Sequence, residues 1–479
     1  MILRVINHPY EFDMKNLCIT FFPHEKLRLE GEEDPVVVTT RRETDGSFFV
    51  SAKVYDVYRE TTAKPEPADE EHLVLSVTLY RLLSGILGFA PPWGVLYGVR
   101  PAKLMHRLCA QMGDDAAVAH FQTAFLTQKS KAELAHEVML HENRSIARSG
   151  PKSFSLYVSI PFCPTRCAYC SFVSHSIEKT HKLMTPYVDL LLRELEETAK
   201  YAKELGLELA TVYFGGGTPT TLSARDLGRI FSTIEQNFDL SHLMEYTVEA
   251  GRPDTVTRER LEIIQAAGVQ RISINPQSFN DKVLEAIGRR HTAPQTLDAF
   301  ALARDCGFDH INMDFIAGLP EDDLPSFQRS IQTALDLQAE SITVHTLALK
   351  TSAYMVTREQ TFDLKDRLTV SNMVDYAGQT LHGAGYYPYY MYRQSKSLGN
   401  LENVGWCKPG YDCLYNVYMM DETHTVLAVG AGAVTKLRGQ NSGMIERIYN
   451  YKYPYEYIRD FDTLLERKKR IPGFYAEYD

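Results

Sequence analysis

Tyr157–Val–Ser–Ile–Pro–Phe–Cys163–Pro–Thr–Arg–Cys167–Ala–Tyr–Cys170 is the segment from which the architecture of this chain can be inferred. It begins as an apolar, β-branched run typical of a buried strand and continues into a loop with three cysteines spaced C-x3-C-x2-C. Three thiolates this close together can face one inorganic centre, and thiolates suit iron–sulfur clusters or zinc. Because a [4Fe–4S] cluster usually takes four cysteines, three would leave one iron open to an outside ligand.

Zinc and unliganded thiols are the alternatives for the cysteine loop. A structural zinc site normally has a fourth Cys or His ligand, which His175 could supply, whereas a catalytic zinc can use three protein ligands. With eight cysteines in 479 residues, the chain lacks the cysteine density of a disulfide scaffold. The sequence therefore predicts a metal centre at Cys163, Cys167 and Cys170, with iron–sulfur favoured over zinc.

The region after residue 153 alternates short apolar runs with longer amphipathic segments. There are six such runs, at residues 156–160, 211–214, 246–249, 271–275, 311–317 and 342–349. Repeated strand–helix units predict a parallel sheet with crossover helices, and six of them suit an open, partial (β/α) barrel. Because ligands collect at the carboxyl ends of parallel strands, we expect the chemistry just after each run.

The two flanking regions have other patterns. Predicted strands at residues 17–22, 36–40 and 47–58 are followed by helical periodicity from residue 69 onward, which indicates an N-terminal α+β domain of unknown role. The last part, with tyrosines clustered around Pro388, predicts a small C-terminal α+β domain that covers the barrel mouth. The predicted domains are therefore residues 1–150, 151–384 and 385–479.

Composition and charge restrict the class of protein. The chain is 44% hydrophobic and 23% charged, which is ordinary for a globular protein with a large core. Its formal net charge is -10 and no basic block stands out, so we expect neither nucleic acid nor an anionic membrane as a partner. The longest charge-free run, residues 82–99, is interrupted by two prolines and does not predict a membrane span. Without an export signal at the N-terminus, we expect a cytoplasmic protein.

The cysteine motif, with an aromatic residue before its last cysteine, resembles that of the radical S-adenosylmethionine (SAM) superfamily, whose SAM chelates the open iron. Gly215–Gly–Gly217–Thr218–Pro219, at the end of the second run, is similar to the family's glycine-rich motif. Further segments resemble, in order, motifs of the oxygen-independent coproporphyrinogen III oxidase (HemN-like) group: residues 155–163, 215–220, 248–249, 271–279, 288–289 and 312–320. The resemblance covers about residues 153–350, and the whole chain is most similar to the HemZ branch of that group.

The resemblance implies roles for particular residues. Cys163, Cys167 and Cys170 would bind the cluster. The residues that would contact the cluster-bound SAM are Tyr157, Gly216, Glu249 and Val434. The residues that would line the adjoining pocket, which in the family can hold a second SAM, are Tyr169, Gly217, Thr218, Gln277, Arg289, Asp314 and Ala348. These residue types suit the task, because carboxylates accept from ammonium and hydroxyl groups and a guanidinium forks onto a carboxylate. Alternatively, Glu249 could cap a helix and Arg289 could pair with a surface acid.

The resemblance also implies a reaction. The reduced cluster passes one electron to SAM, and the resulting 5′-deoxyadenosyl radical removes a β-hydrogen from a propionate of coproporphyrinogen III. Loss of CO₂ and of one electron leaves a vinyl group, and reaction at two propionates gives protoporphyrinogen IX. We therefore expect a cytoplasmic radical SAM oxidoreductase with a [4Fe–4S] cluster, one or two SAM molecules, and a redox partner such as flavodoxin or ferredoxin.

Two departures from the family pattern leave other functions open. Phe172 stands where the catalytic HemN type has a further cysteine, as in the haem-chaperone (HemW) branch, and Asn275–Pro276 stands where Gly–Val is usual. The alternatives are a haem-binding chaperone, another radical SAM reaction on a tetrapyrrole such as methyl transfer, or a zinc-stabilised interaction module. Aromatic and cationic residues that could hold a tetrapyrrole lie near the C-terminus: Tyr386, Tyr387, Tyr389, Tyr390, Tyr392, Arg393, Lys396, Trp406 and Lys436.

Overall fold

The first part of the chain folds into a small sheet covered by two helices. The computed structural model describes residues 1–23, 25–98, 100–170, 175–348, 364–394 and 397–479. Its first elements are β1 (Ile2–Ile6), α1 (Glu11–Phe21), β2 (Val36–Arg42), β3 (Phe48–Val54), β4 (Val57–Ala63) and α2 (Glu71–Leu87). The sheet has the order β1-β2-β3-β4, with β1 parallel to β2 and the other pairs antiparallel.

One predicted strand in this region is wrong. Residues 17–21, expected to be extended, belong to helix α1, whose buried residues Met14, Leu17, Cys18 and Phe21 recur at helical spacing. The aromatic and apolar side chains that suggested a strand form instead one face of a helix, packed on the core of the small sheet. The strand predicted at residues 36–40 is confirmed as β2, whereas the single strand expected over residues 47–58 is divided by a turn into β3 and the start of β4.

Three further helices connect the small sheet to the main body: α3 (Pro101–Met112), α4 (Asp114–Thr123) and α5 (Lys129–Ile146). Their buried residues, among them Met105, Phe121 and Val138, belong to the same hydrophobic cluster as the barrel, together with Trp93. The small sheet with α1 and α2 has a core of its own. The first 150 residues thus contribute to two cores, and their division from the rest as one domain stays a prediction.

The expected partial barrel is confirmed. Six parallel strands stand side by side in chain order: β5 (Ser153–Ile160), β8 (Glu208–Gly216), β9 (Glu245–Glu249), β10 (Arg271–Ser273), β11 (Ile311–Ala317) and β12 (Ser341–Thr346). Between and after them lie α6 (Ile177–Glu204), α7 (Ala224–Asn237), α8 (Arg258–Ala266), α9 (Asp281–Ala286), α10 (Ala293–Asp305), α11 (Leu324–Asp336) and α12 (Leu364–Gly383). Two-residue strands β6 (Phe162–Cys163) and β7 (His175–Ser176) pair beside the first strand.

The two faces of the barrel strands differ in polarity. Leu156 and Val158 of β5 join the apolar core shared with the helices. The alternate residues face the interior of the barrel, where Ser155 Oγ lies 2.7 Å from Thr211 Oγ1 of the next strand. The interior is therefore a polar surface, which an apolar run read from sequence alone does not reveal.

The C-terminal strands extend the barrel sheet at both edges. They are β13 (Tyr387–Arg393), β14 (Glu402–Cys407), β15 (Thr425–Val429), β16 (Val434–Arg438) and β17 (Ile445–Tyr449). The strand β14 is antiparallel to β12, and β15 is parallel to β5, within one sheet of 11 strands. These strands do not form a sheet of their own, and the predicted division at residues 384 and 385 stays a prediction.

The remaining helices cross or cover this sheet. Helix α13 (Leu414–Asp421) connects β14, beside β12, to β15, beside β5, and it is followed later in the chain by α14 (Pro454–Arg459), α15 (Phe461–Lys468) and α16 (Arg470–Tyr478). Single 3₁₀ turns occupy Pro219–Thr221, Pro253–Thr255 and Leu398–Asn400. Within the described ranges, no helix combines the length and the apolar composition that crossing a bilayer requires.

Candidate functional site

The candidate site lies at the carboxyl ends of the barrel strands, as the sequence predicts. The cysteine loop follows β5, the glycine segment ends β8, and Glu249 is the last residue of β9. Because these strands are neighbours in the order β5-β8-β9, the three motifs meet at one edge of the sheet.

The cysteine loop is anchored to the end of α9 and to the glycine segment at the end of β8. The Ala168 N–H donates to the Ile287 carbonyl at 2.9 Å, and Cys163 Sγ lies 3.5 Å from Thr218 Oγ1 of the glycine segment. Three thiols on one loop suit an iron–sulfur cluster, whose cysteine ligands bind different irons.

Two buried guanidinium groups approach the thiol of Cys167. Arg252 donates to Cys167 Sγ at 3.7 Å and to Thr165 Oγ1 at 3.1 Å, and it forms an ion pair with Asp254 at 3.0 Å. Arg289 also interacts with Cys167 and donates to Tyr169 Oη at 3.2 Å. Sequence reasoning missed Arg252, although its place three residues after Glu249, at a strand end, was a usable signal.

Arg289 has the properties expected of a ligand-binding cation. Burial opposes its charged form, but the neighbouring Tyr169 and Cys167 raise the pKa of its guanidinium above the usual value. Its Nη1 donates to the Asn275 carbonyl at 2.6 Å, and its buried Nε has no hydrogen-bond acceptor among the described residues. An unpaired buried N–H is costly, so this group fits an anionic ligand such as a carboxylate.

The glycine segment allows two strand ends to approach each other. A Cβ atom at Gly217 would lie 2.5 Å from the Phe162 carbonyl oxygen, and Gly216 has a φ of +103° that disfavours any side chain. The Gly217 N–H donates to the Ile160 carbonyl at 2.7 Å, and the Thr218 N–H donates to that of Phe162 at 2.8 Å. The glycines therefore hold the cysteine loop against the end of β8.

Glu249 lies half-buried at the centre of the site. Tyr213 Oη donates to its Oε1 at 2.5 Å, and the ring of Tyr213 stacks on that of Tyr157 at 6.2 Å. Burial raises the pKa of the Glu249 carboxyl to about 7, with Asp314 adding to the effect and the Tyr213 hydrogen bond opposing it. Glu249 ends a strand and caps no helix, so it can accept a hydrogen bond from a ligand amino group.

Asp314 of β11 and Gln277 of the segment after β10 are held together. Asn312 Nδ2 donates to Asp314 Oδ1 at 2.7 Å, and His345 Nε2 lies 3.7 Å from Oδ2. Burial opposes ionisation of Asp314, but His345 and Asn312 outweigh it and lower the pKa of this carboxyl. Gln277, at a φ of +69°, donates its N–H to the Asp314 carbonyl at 2.9 Å.

Ala348 and Val434 are paired with residues outside the predicted site. Ala348 forms an isolated bridge with Ser397, and Val434 begins β16, opposite Tyr449. None of these pairings involves another predicted site residue. The turn before Val434 does reach the site, because Ser159 Oγ at the end of β5 donates to the Ala431 carbonyl at 2.8 Å.

The predicted substrate residues separate into two groups. Tyr389, Tyr390 and Tyr392 join the tyrosine cluster of the barrel interior, which we define as Tyr157, Tyr213, Tyr389, Tyr390, Tyr392 and Tyr415. Arg393 instead donates to the Leu96 carbonyl at 2.7 Å and lies over Trp93. These contacts join it to the N-terminal part of the chain, and its role in holding a substrate stays a prediction.

Lys436 and Trp406, two other predicted substrate residues, do not belong to the tyrosine cluster. Lys436 donates to the Met419 carbonyl at 3.0 Å, and burial lowers the pKa of its ammonium to about 8. Trp406 packs in the core shared with the helices. Lys396 and Phe172 lie outside the described residues.

Arg271 is a cation of the barrel interior that sequence reasoning did not assign to substrate. It is 1% exposed, and its neighbours include Tyr213, Tyr389 and Glu245. Among the described residues, none accepts a hydrogen bond from its Nε or Nη1, and Tyr389 Oη is also without a partner. Burial by itself would lower the pKa of the Arg271 guanidinium, but the surrounding acidic groups outweigh burial and raise this pKa above its usual value. Arg271 therefore remains a buried cation that lacks a full set of acceptors.

Comparison with known proteins identifies the family. Residues 157–334 match the family model of the radical SAM superfamily. The chain is 34% identical to the oxygen-independent coproporphyrinogen-III oxidase-like protein HemZ of Bacillus subtilis, over 95% of this chain and 94% of that protein. The chain belongs to the radical SAM superfamily, in its HemN-like group.

This radical SAM protein is also similar to a second curated relative and to a solved structure. It is 30% identical to the heme chaperone HemW of Haemophilus influenzae, over 66% of this chain and 78% of that protein. The solved structure of coproporphyrinogen III oxidase (HemN) from Escherichia coli superposes with a TM-score of 0.50 at 21% identity, covering 68% of this chain and 72% of that one. The latter similarity shows a shared radical SAM fold.

Arg252 is expected to tune the reduction potential of the cluster. If Cys167 binds the cluster, the guanidinium would stabilise the more negative, reduced state through its hydrogen bond to sulfur. Arg252→Met should lower the midpoint potential on the order of 50 mV, or roughly tenfold in the reduction equilibrium. An anaerobic redox titration followed by electron paramagnetic resonance measures this shift. Arg252→Lys, which keeps the charge, should shift it less, and an unchanged potential in Arg252→Met would contradict the assignment.

Glu249 is expected to make SAM binding depend on pH. Its carboxyl, with a pKa near 7 because of burial, must ionise to accept fully from the proposed SAM amino group. Affinity should therefore fall by about tenfold per pH unit below that pKa and level off above it. Titrating SAM into the reconstituted protein between about pH 6 and about pH 8 tests this. Glu249→Gln should bind weakly at every pH; a variant with the parent's pH profile would exclude Glu249.

Proposed function

We propose that this chain binds a [4Fe–4S] cluster through Cys163, Cys167 and Cys170 and acts with SAM on a tetrapyrrole. When bound, the pair supplies one-electron cleavage of SAM, which generates an organic radical able to remove a hydrogen atom from carbon. The three thiols, the close-packed glycine segment and the orphan N–H of Arg289 fit such a pair. The chain's own contribution is to hold the ligands and to exclude water.

We assign the SAM contacts by position in the site. Tyr157, Gly216 and Glu249, with the turn before Val434, surround the end of β5 and would hold the cluster-bound SAM. The residues proposed for the adjoining SAM pocket are Tyr169, Gly217, Thr218, Gln277, Arg289, Asp314 and Ala348. Arg289 would fork onto a carboxylate, and Asp314, kept ionised by His345, would accept from ribose hydroxyls.

The substrate that we propose is coproporphyrinogen III, and the observation that carries this choice is Arg271. The macrocycle needs aromatic walls and cations for its carboxylates, and the barrel interior offers the tyrosine cluster beside a buried guanidinium with unused donors. One propionate on Arg271 would supply the missing acceptors. A second propionate would react: it loses a β-hydrogen atom, then CO₂ and one electron, and becomes a vinyl group. That electron passes to an external acceptor, for which we propose a redox partner such as flavodoxin or ferredoxin.

The test is an anaerobic assay of the reconstituted protein with SAM, a reductant and coproporphyrinogen III. Mass spectrometry follows 5′-deoxyadenosine and the tetrapyrrole together. We expect a product that has lost two carboxyl groups, with protoporphyrinogen IX as the end point. Formation of 5′-deoxyadenosine without any decarboxylated product would overturn the choice of substrate.

Arg271 gives this proposal a specific variant. Arg271→Gln removes the charge that would hold a propionate, and a bidentate ion pair contributes about 1.5–3 kcal/mol. We therefore expect KM for coproporphyrinogen III to rise roughly tenfold to a hundredfold, because each 1.4 kcal/mol is a factor of ten. SAM binding, measured on the same sample, should be unchanged and reports an intact barrel. An unchanged KM in a folded variant would remove Arg271 from the substrate site.

A haem-carrying role is the second candidate, favoured by the 30% identity to the heme chaperone HemW. The same assay distinguishes the two functions. A chaperone would retain added haem in a stable complex and would yield no vinyl product. A third outcome, a tetrapyrrole that gains a methyl group, would indicate a transfer reaction instead of decarboxylation.

A further inference from the structure

A cysteine, an aspartate and a histidine meet on three helices that the proposed chemistry does not use. Cys109 lies in α3, Asp114 begins α4, and His136 lies in α5. One ligand atom from each lies within 4.8 Å of the other two, and His136 Nε2 is 3.0 Å from Asp114 Oδ2. The cluster is half-buried, with Asp114 exposed at its edge.

The backbone builds this cluster through one sharp turn. Helix α3 ends at Met112 and is followed by Gly113, whose N–H donates to the Cys109 carbonyl at 2.9 Å, and α4 begins at the next residue. Gly113 has a φ of +86°, a conformation that side chains disfavour, and it reverses the chain so that Asp114 lies beside Cys109. Helix α5 packs on both helices and brings His136 to the same point.

The chemistry of the three donors matches a particular ion. One thiolate, one imidazole and one carboxylate form a borderline-soft set, and zinc takes these ligands at about 2.0–2.3 Å in tetrahedral geometry. The three donor atoms already lie within 4.8 Å of one another, which is compatible with their binding a single ion. Binding therefore needs only small side-chain movements. The exposed side leaves space for a water molecule as the fourth ligand.

We propose that Cys109, Asp114 and His136 bind one zinc ion, with water in the fourth position. Binding displaces the thiol proton of Cys109, which leaves to solvent, and creates a Zn–S bond without any redox step. In the absence of metal, burial and the neighbouring Asp114 raise the pKa of this thiol to about 11, so it stays protonated.

The position of the site indicates a structural role. Helix α5 also carries the buried Lys131, which forms ion pairs with Glu402 of β14 at 2.6 Å and with Asp375 of α12 at 2.7 Å. A zinc ion that joins α3, α4 and α5 would therefore tie the three-helix layer to the edge of the barrel. The site is separate in sequence from the cysteine loop and stands independently of the proposed reaction.

Cobalt spectroscopy on the full-length chain tests the proposal. Because the cluster cysteines would also take cobalt, the titration uses the variant in which Cys163, Cys167 and Cys170 are all serine. We expect one equivalent of Co²⁺ to bind with a thiolate-to-cobalt charge-transfer band and the visible bands of a tetrahedral ion. Adding Cys109→Ser should abolish the charge-transfer band, whereas adding Cys306→Ser, another half-buried cysteine, should leave it unchanged.

A second measurement uses the intact protein with its cluster reconstituted. Elemental analysis should find one zinc per chain, and zinc should raise the unfolding temperature of the parent but not of Cys109→Ser. His136→Ala and Asp114→Ala should each weaken zinc binding by tenfold or more. The proposal is overturned if the parent binds no zinc, or if Cys109→Ser binds cobalt with the same charge-transfer band as its parent.

Discussion

Cys167→Ser reduces bound iron to the level of protein reconstituted without iron, and it abolishes SAM cleavage. This expectation follows from the place of Cys167: it is the buried thiol of the loop, and two guanidinium groups approach it. A hard hydroxyl is a poor ligand for iron in a cluster, and three cysteines leave no ligand to spare. Iron and sulfide analysis with electron paramagnetic resonance after reduction measures the loss.

The control for this prediction is Cys306→Ser. Cys306 lies at the end of α10, where Arg258 donates to it at 3.8 Å, and it has no place in the proposed cluster. It should keep full iron content and full SAM cleavage. A Cys167→Ser protein with the iron content and the reduced signal of the parent would show that the cluster is not bound as proposed.

Glu194→Ala should destabilise the protein by about 3–5 kcal/mol, because it leaves a buried lysine without its counter-charge. Glu194 and Lys468 are both fully buried and 2.8 Å apart. The same carboxylate accepts hydrogen bonds from the Gly430 N–H at 2.8 Å, Asn450 Nδ2 at 2.8 Å and Tyr457 Oη at 2.6 Å. Denaturant unfolding under anaerobic conditions measures the loss of free energy.

The double variant Glu194→Leu/Lys468→Met separates the charge from the packing. Replacing both partners by apolar groups removes the uncompensated cation, so the double variant should be more stable than Glu194→Ala. Both variants should bind SAM less tightly than the parent, since Glu194 holds the turn at Gly430 that abuts Ser159 of the proposed SAM site. Equal stability of the parent and Glu194→Ala would show that the pair contributes nothing net.

The sequence predicted the barrel and the place of its chemistry because both are encoded locally. Strand–helix alternation is visible in a short window, and parallel strands necessarily bring their carboxyl ends to one edge. The cysteine loop, the glycine segment and Glu249 accordingly lie where they were expected. The failure at α1 has the same cause, since a short window rich in apolar and aromatic residues does not distinguish a strand from a buried helix face.

The groups that each arginine contacts could not be predicted from its neighbours in sequence. Arg393 follows a run of tyrosines and suggested a substrate clamp, yet it binds carbonyls near Trp93, some 300 positions away in the chain. Arg252 and Arg271 were not assigned to the site from sequence, but one approaches a proposed cluster thiol and the other lies in the barrel interior, where its Nε and Nη1 have no acceptor among the described residues. What a long cation binds depends on which distant strands surround it.

The amino-acid order by itself was enough to predict the family and the six-strand core and to propose the three sulfur ligands, because spacing along a strand end limits which side chains can converge. Only the tertiary structure decided that the C-terminal strands complete the barrel sheet, that Glu194 holds the Gly430 turn, and that Cys109 meets His136. These contacts join segments far apart in the chain. Burial and hydrogen bonding between such segments produce no periodic pattern in the sequence of either segment.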